Sequence, residues 1–553
     1  MVEQGPNNYG VPTIVHPALF LAGLAPTSNN TIFYQGVEEP QLANRGLVVP
    51  SGGTLGGGSS INLMMYSRAQ RSDFDAWNVS GWAANDMIPY LKKLETYHGR
   101  GSNETHGFDG PINISGGTYR SNRSEDDWVQ AAKKVGYPEF EDITSLDANN
   151  GFQRALRYIG PDGTRQDVAS RYLHPKIQSG EYPNLHIVVN SLVKKVVFDN
   201  KRACGVEYES KSNSTIRTIR ARKLVVVSSG ALGTPSILER SGLGNPEVLK
   251  KAGVSEITAD LPGVGENYQD HHLVIYPYYS SLSENETLDA LGGGRVDVSQ
   301  LIQEHAPILG WNAMDIACKI RPSDEEVAAL GPAFQELWDE EYKNNLNKPL
   351  ALGSLVSGFS GDPSLVPVGQ YLSMSTFTAY PRSRGSIHIT GPGSNDKPMF
   401  TTGFFSDPQN LDVKKHIWLY KKQREIFRRM ELYRGELPIM HPPFSPESDA
   451  RLIQTDAPLQ NVKDIVYTAE DDRVIEEFVR KNVGTTWHSL GTCKMGPREE
   501  GGVVDANLSV YGVEGLKVAD LSIPPENVAA NTMNTAVAIG EKAADIFIKE
   551  LGL

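Results

Sequence analysis

The chain is poor in cysteine. Its 553 residues include three, Cys204, Cys318 and Cys493, far apart and odd in number. Neither a disulfide framework nor a structural zinc centre is built that way, and no metal site is expected. Excess positive charge is also missing. The net charge is −13 and no Lys/Arg-rich block interrupts it, which speaks against a nucleic-acid partner. Long apolar runs are absent. The longest, Ile14 to Ala25, is broken by His16, Pro17 and Gly23 and falls short of the ~20 residues a membrane span requires, so no membrane association is expected. Glu3 stands where a signal peptide would carry positive charge, and Glu550-Leu551-Gly552-Leu553 is not a Ser-Lys-Leu peroxisomal address. Asn-x-Ser/Thr sequons begin at Asn29, Asn78, Asn103, Asn113, Asn122, Asn213, Asn285 and Asn507. They keep secretion open beside a cytoplasmic or peroxisomal location, since a sequon is a necessary condition for glycosylation and no more. No internal repeat or low-complexity segment occurs.

What is present is ordinary for a globular enzyme: 39% hydrophobic and 22% charged residues. At about 150 residues per domain, the length implies about two to four units. Short β-rich runs alternate with amphipathic helical ones. Leu185–Val189, Leu192–Phe198 and Ala203–Tyr208 read as an antiparallel meander turning at Asp199-Asn200. Leu224–Val227 is continuously apolar, as a strand buried on both faces is. A helix follows, with Thr234 as its cap, Pro235 in its first turn and Gly242 at its end. Further helices are expected over Asp412–Tyr433 and Thr535–Leu551, a strand after the turn at Tyr380–Gly385, and a mobile loop at Gly292-Gly293-Gly294.

The most informative run is Leu55-Gly56-Gly57-Gly58-Ser59-Ser60-Ile61-Asn62. Glycines there permit positive φ and let a ligand approach the backbone N–H groups. Three other segments fit the same chemistry: Gly230–Gly244, Leu261-Pro262-Gly263-Val264-Gly265-Glu266-Asn267-Tyr268-Gln269-Asp270-His271, and Thr486-Trp487-His488-Ser489-Leu490-Gly491-Thr492-Cys493 with Asn531 beyond it. Together they resemble the glucose–methanol–choline (GMC) family of FAD oxidoreductases along nearly the whole chain, and within it most resemble the fungal alcohol (methanol) oxidases. The first signature departs from the pattern where Gly53 stands in place of a basic or Asn residue.

The resemblance implies an α/β (α+β) fold: a GMC-type, Rossmann-like FAD-binding domain with a second, antiparallel-sheet substrate domain. The expected boundaries are 1–115, 185–270 and 501–553 for the FAD side, and 116–184 and 271–500 for the substrate side. It implies oxidation of a primary alcohol to an aldehyde by hydride transfer to flavin N5, with O2 or another acceptor, and leaves homo-oligomerisation open. His488 matches the family's catalytic histidine, a residue type suited to general-base work near neutral pH. Asn531 matches the second active-site position, where an amide can orient the substrate oxygen. Glu3, Gly57, Gly58, Ser59, Ser60, Asn62, Val193, Asp520, Asn531 and Thr532 match cofactor-binding positions, with Val193 beside adenine and Asp520 near the ribityl and diphosphate. A helix-capping aspartate at position 520 would look the same in sequence. Ile61 stands where some members carry a histidine bonded to the flavin, so the FAD is expected to be non-covalent. Leu63, Met65 and Trp487 would line the substrate pocket. Methanol-oxidising relatives carry an aromatic at the position of Leu63, and leucine leaves room for a larger alcohol, in specialised metabolism.

One expected piece is missing. No Gly-x-Gly-x-x-Gly fingerprint occurs, and Met1-Val2-Glu3 looks like the tail of a second strand, with Glu3 as its ribose-binding acid. Roughly thirty residues of the fold's start are thus expected to be absent, which leaves the FAD-binding domain N-terminally incomplete. That motivates an alternative, a flavin-free and non-catalytic form. A hydroxynitrile-lyase-like activity on the same scaffold is a further one.

Overall fold

Alternation along one strand, His272–Ser280, lays out the molecule. In the computed structural model, which describes residues 1–553, Val274, Tyr276 and Tyr278 join an aromatic-rich core on one face of a sheet. Leu273 and Ile275, on the other face, line a cavity. That is the period-two pattern of a strand with two different surroundings. The sheet has seven strands, all antiparallel. Its order is Tyr433–Glu436, His272–Ser280, Tyr371–Thr378, Ala351–Val356, Met314–Ile320, Gly151–Arg154, with Gly484–Thr485 on the near end of His272–Ser280. In register, Leu273 faces Phe377, which faces Leu352, and Ile275 faces Ser375, which faces Ser354.

Helix Leu411–Phe427 covers the face away from the cavity and is buried along most of its length. The periodicity predicts that this helix runs to Tyr433, but it stops at Phe427. The Asp127 carboxylate accepts the N–H groups of Glu431 and Leu432 at 2.9 and 2.8 Å, and the chain turns to pair as an edge strand. Tertiary hydrogen bonding overrides the periodic signal there.

The second region carries the glycine-rich segments. Ser191–Asp199, Arg202–Ser210 and Ile216–Arg220 form a three-stranded antiparallel sheet. The expected strand at 185–189 reduces to one parallel bridge, Val188 with Val2. Val225–Val227 pairs in parallel with Leu516–Val518. It is not buried on both faces as its composition suggests: Val226 is 43% exposed and lines the cavity.

The next helix spans Gly230–Arg240, so Thr234 is not its cap and Pro235 lies inside it. Proline has no N–H for the carbonyl four residues back, that of Ala231. The Thr492 hydroxyl donates to that carbonyl instead, at 2.6 Å. A motif residue distant in sequence thus satisfies the broken turn. The last helix begins at Met533, two residues earlier than its pattern suggests, and runs to Leu551. Gly292 closes a short helix from Asp289, and the Gly293 N–H bonds to the Asp289 carbonyl. No helix is long and apolar enough to cross a membrane.

Candidate active site

The first glycine-rich run makes a tight turn into a four-residue helix, Gly58–Ile61. Gly56 and Gly57 have φ of 84° and 54°. A Cβ on Gly56 would strike the Ser60 hydroxyl, whereas at Gly57 and Gly58 it would meet nothing within 4 Å. Buried Arg165 braces the turn from behind, donating to the Asn62 carbonyl at 2.7 Å and to Asn62 Oδ1 at 2.9 Å. Ser59 donates to the Gly56 carbonyl and accepts from Val168 N–H. Ser60 is fully buried and does not line the cavity. Its hydroxyl donates to the Leu55 carbonyl and accepts from Asn8. The side chain is therefore spent inside the protein.

The other expected residues share one cavity of about 2500 Å³, which runs from Glu3 and Val193 past Gly57, Gly58, Ser59, Asn62 and Asp520 to Thr532, Asn531 and His488. A usual small-molecule pocket has roughly 300–1,000 Å³, so this one has room for a dinucleotide and a substrate together. Leu63, Met65 and Trp487 line its inner end, with Phe377 from the large sheet 5.9 Å from His488, centroid to centroid. The cavity therefore lies between the two regions of the fold.

Asp520 accepts from Gly230 N–H at 2.9 Å, from the Thr234 hydroxyl at 2.5 Å and from Ser522 N–H at 2.7 Å. It caps the helix that Thr234 was expected to cap, and holds the adjoining wall in place. Burial raises its pKa, against the pull of these bonds. Glu3 spends one oxygen on Gly5 N–H at 2.7 Å, and burial raises its pKa also.

His488 sits just after a backbone turn. Trp487 has φ of 61°, unusual for a bulky residue, and is held there by Trp487 N–H donating to Thr485 Oγ1 at 2.8 Å. His488 N–H then donates to Asp270 Oδ1 at 3.0 Å. The imidazole Nδ1 lies 2.8 Å from Nδ1 of His271, and Asn531 Nδ2 donates to its Nε2 at 3.3 Å. Burial, and next the neighbouring His271, hold its pKa well below the usual histidine range. Asp270, buried beneath, is raised to about 6 by burial.

Ser67 fixes the amide of Asn531. Its hydroxyl donates to Asn531 Oδ1 at 2.9 Å and accepts from Asn531 N–H at 2.6 Å. With Oδ1 occupied, the NH2 end is turned to His488. Sequence reasoning passed over Ser67, Arg165 and Phe377, which lie outside the glycine-rich and Trp-His motifs. It quoted Asp270 and His271 within a motif but gave them no role.

Known proteins match this chain along its length. The GMC oxidoreductase N-terminal family model matches residues 22–273 and the C-terminal one residues 381–540. An alcohol oxidase from Candida boidinii is 37% identical, covering 100% of this chain and 91% of the relative. Alcohol oxidase 1 from Komagataella phaffii is 35% identical with the same coverage. Among solved structures, an FAD-dependent oxidoreductase from Chaetomium thermophilum superimposes with a TM-score of 0.81 at 26% identity, covering 100% of this chain and 95% of that one. Formate oxidase from Aspergillus oryzae shares the fold, with a TM-score of 0.84 at 21% identity over 99% and 93% of the two chains.

Proposed function

The chain belongs to the GMC oxidoreductases, FAD-dependent enzymes acting on CH–OH groups, and from that premise we propose that it oxidises a primary alcohol to an aldehyde with His488 as base. When bound, FAD supplies the hydride acceptor at its N5. The residues present fit that cofactor. The cavity is large enough, and Gly57 and Gly58 leave open the space that a Cβ would fill. Glu3, Gly57, Gly58, Ser59, Asn62, Val193, Asn531 and Thr532 would hold it, with Asp520 supporting the wall. No histidine stands in the glycine-rich run, so the attachment is non-covalent.

The observation that carries the reading is the meeting of His488 Nε2 and Asn531 Nδ2, 3.3 Å apart, at the inner end of that cavity. A neutral imidazole accepts the hydroxyl proton as hydride leaves the adjoining carbon. The Asn531 amide, fixed by Ser67, orients the alcohol oxygen and stabilises charge developing on it without competing for the proton. Leu63, Met65, Trp487 and Phe377 exclude water and contact an apolar substrate body. Leucine at 63 leaves space for an alcohol larger than methanol.

The test is a visible spectrum of purified protein followed by a panel of alcohols, read as flavin bleaching and peroxide release. Bleaching by a primary alcohol supports the reading, and peroxide identifies O2 as acceptor. A flavin-loaded protein that no alcohol bleaches would overturn it.

A further inference from the structure

The His271–His488 contact is unusual for a base that must accept a proton, because no carboxylate reaches either ring. The Asp270 carboxylate is occupied by the backbone N–H of His488 and the hydroxyls of Thr485 and Tyr268. The two rings instead meet edge to face, with centroids 5.0 Å apart.

The protons can be assigned by following the bonds outward. His271 Nε2 lies 2.9 Å from the Val528 carbonyl, which can only accept, so Nε2 carries a proton. Burial pushes the pKa of His271 down to about 3, so the ring is neutral and its Nδ1 is bare. A bare Nδ1 needs a donor, and His488 Nδ1, 2.8 Å away, is placed to supply it. His488 is neutral as well, so its Nε2 keeps the lone pair, directed at Asn531 and the cavity. The Val528 carbonyl is itself placed, because Ala529 N–H donates to Asp73 at 2.8 Å and Asn527 N–H to Gln269 at 3.1 Å.

We infer that His271 is a positioning residue that locks His488 in its Nδ1–H tautomer, leaving Nε2 as the proton acceptor, through the chain Val528 carbonyl, His271, His488. A carboxylate in this place would fix the same tautomer and also make the ring more basic. A neutral histidine fixes the tautomer alone. The inference rests on the alcohol-oxidation reading only for its kinetic consequence.

The experiment has two arms. Ring-nitrogen NMR of the ¹⁵N-histidine-labelled whole chain, with His488 assigned by substitution, reads the tautomer without any turnover. The expected result is His488 protonated at Nδ1 in the wild type and in His271→Asn, whose side-chain oxygen can accept at the Nδ1 position. In His271→Leu that preference is lost. In the second arm, kcat of flavin-loaded protein on its best alcohol falls about 10²-fold or more in His271→Leu, the direction expected for a mis-set tautomer. KM stays nearly constant because no substrate contact is removed, and His271→Asn restores most of kcat. His488 protonated at Nε2 in the wild type overturns the inference, and so does a His271→Leu variant with wild-type tautomer and kcat. If the wild type oxidises no alcohol, the NMR arm still decides the tautomer, and only the alcohol-oxidation reading fails. If His271→Leu does not fold, the wild-type and His271→Asn spectra decide.

Discussion

The two ends of the cavity are built on opposite plans. At the inner end, His488, Asn531, Ser67 and His271 are joined atom to atom, and each side-chain polar group has a named partner. Along the outer wall, Gly57, Gly58, Val193 and Val226 offer backbone and apolar surface, and Asp520 turns its carboxylate inward to Gly230 and Thr234. On the proposed reading, side chains at the first end move a proton. At the second they leave a shape, and the polar ones hold that shape up. Substitutions should therefore separate rate from cofactor retention according to the end they touch.

His488→Ala should break the inner end most severely. The expected loss is about 10²–10⁴ in alcohol-oxidation rate, the usual worth of general-base catalysis, with flavin content retained. Rate per bound flavin is the measurement, and full activity would show that the proton goes elsewhere. Asp520→Ala should do the reverse. It removes the helix cap and leaves Gly230 N–H and Ser522 N–H without their acceptor, which costs about 1–3 kcal/mol. Tm and flavin content should fall together while the rate per bound flavin changes little, and thermal melts with flavin absorbance check this. Ser67→Ala frees the Asn531 amide without removing it. A loss of one net hydrogen bond, about 1 kcal/mol, corresponds to several-fold in kcat, less than for Asn531→Ala.

The pH dependence sharpens the same contrast. His488 and His271 have depressed pKa values, so His488, the proposed base, stays unprotonated as pH falls through 6.5. The acid limb of kcat/KM should lie well below that value. The stability contribution has its own sign. The unfolded chain binds protons on these rings below about 6.5 while the folded one does not, so their contribution is full above that pH and is lost as pH drops below it. A kcat/KM profile paired with Tm at each pH separates the two. The smallest effect expected is Leu63→Phe, which should shift preference towards shorter alcohols by filling the pocket, with flavin content unchanged, as ratios of kcat/KM across an alcohol series would show.

Much of the site was legible because it is carried by short motifs. The glycine-rich run had to turn with positive φ, and it does at Gly56 and Gly57. Trp487-His488 and Asn531 were identifiable through the motifs that resemble the family, and all the expected lining residues except Ser60 reach one cavity. Ser60 failed because consecutive residues in a helical turn face different ways: Ser59 borders the cavity while Ser60 points into the interior. Asp520 shows the opposite limit, since an acid that caps a helix and one that faces a cofactor read identically until Gly230 N–H is seen 2.9 Å away.

The sequence by itself determined the chemistry available: an imidazole, an amide, a glycine turn, and no cluster of cysteines or basic residues to suggest another class. It also determined most of the local elements, because periodicity and turn residues act over a few positions. What the tertiary structure decided was everything that depends on partners far along the chain. Thr492 repairs the turn that Pro235 breaks, and Asp127 ends a helix whose pattern continues. His271 meets His488 across 217 residues of chain. Hydrogen bonds act over about 3 Å, and no spacing in sequence reveals which distant groups folding will bring within that distance.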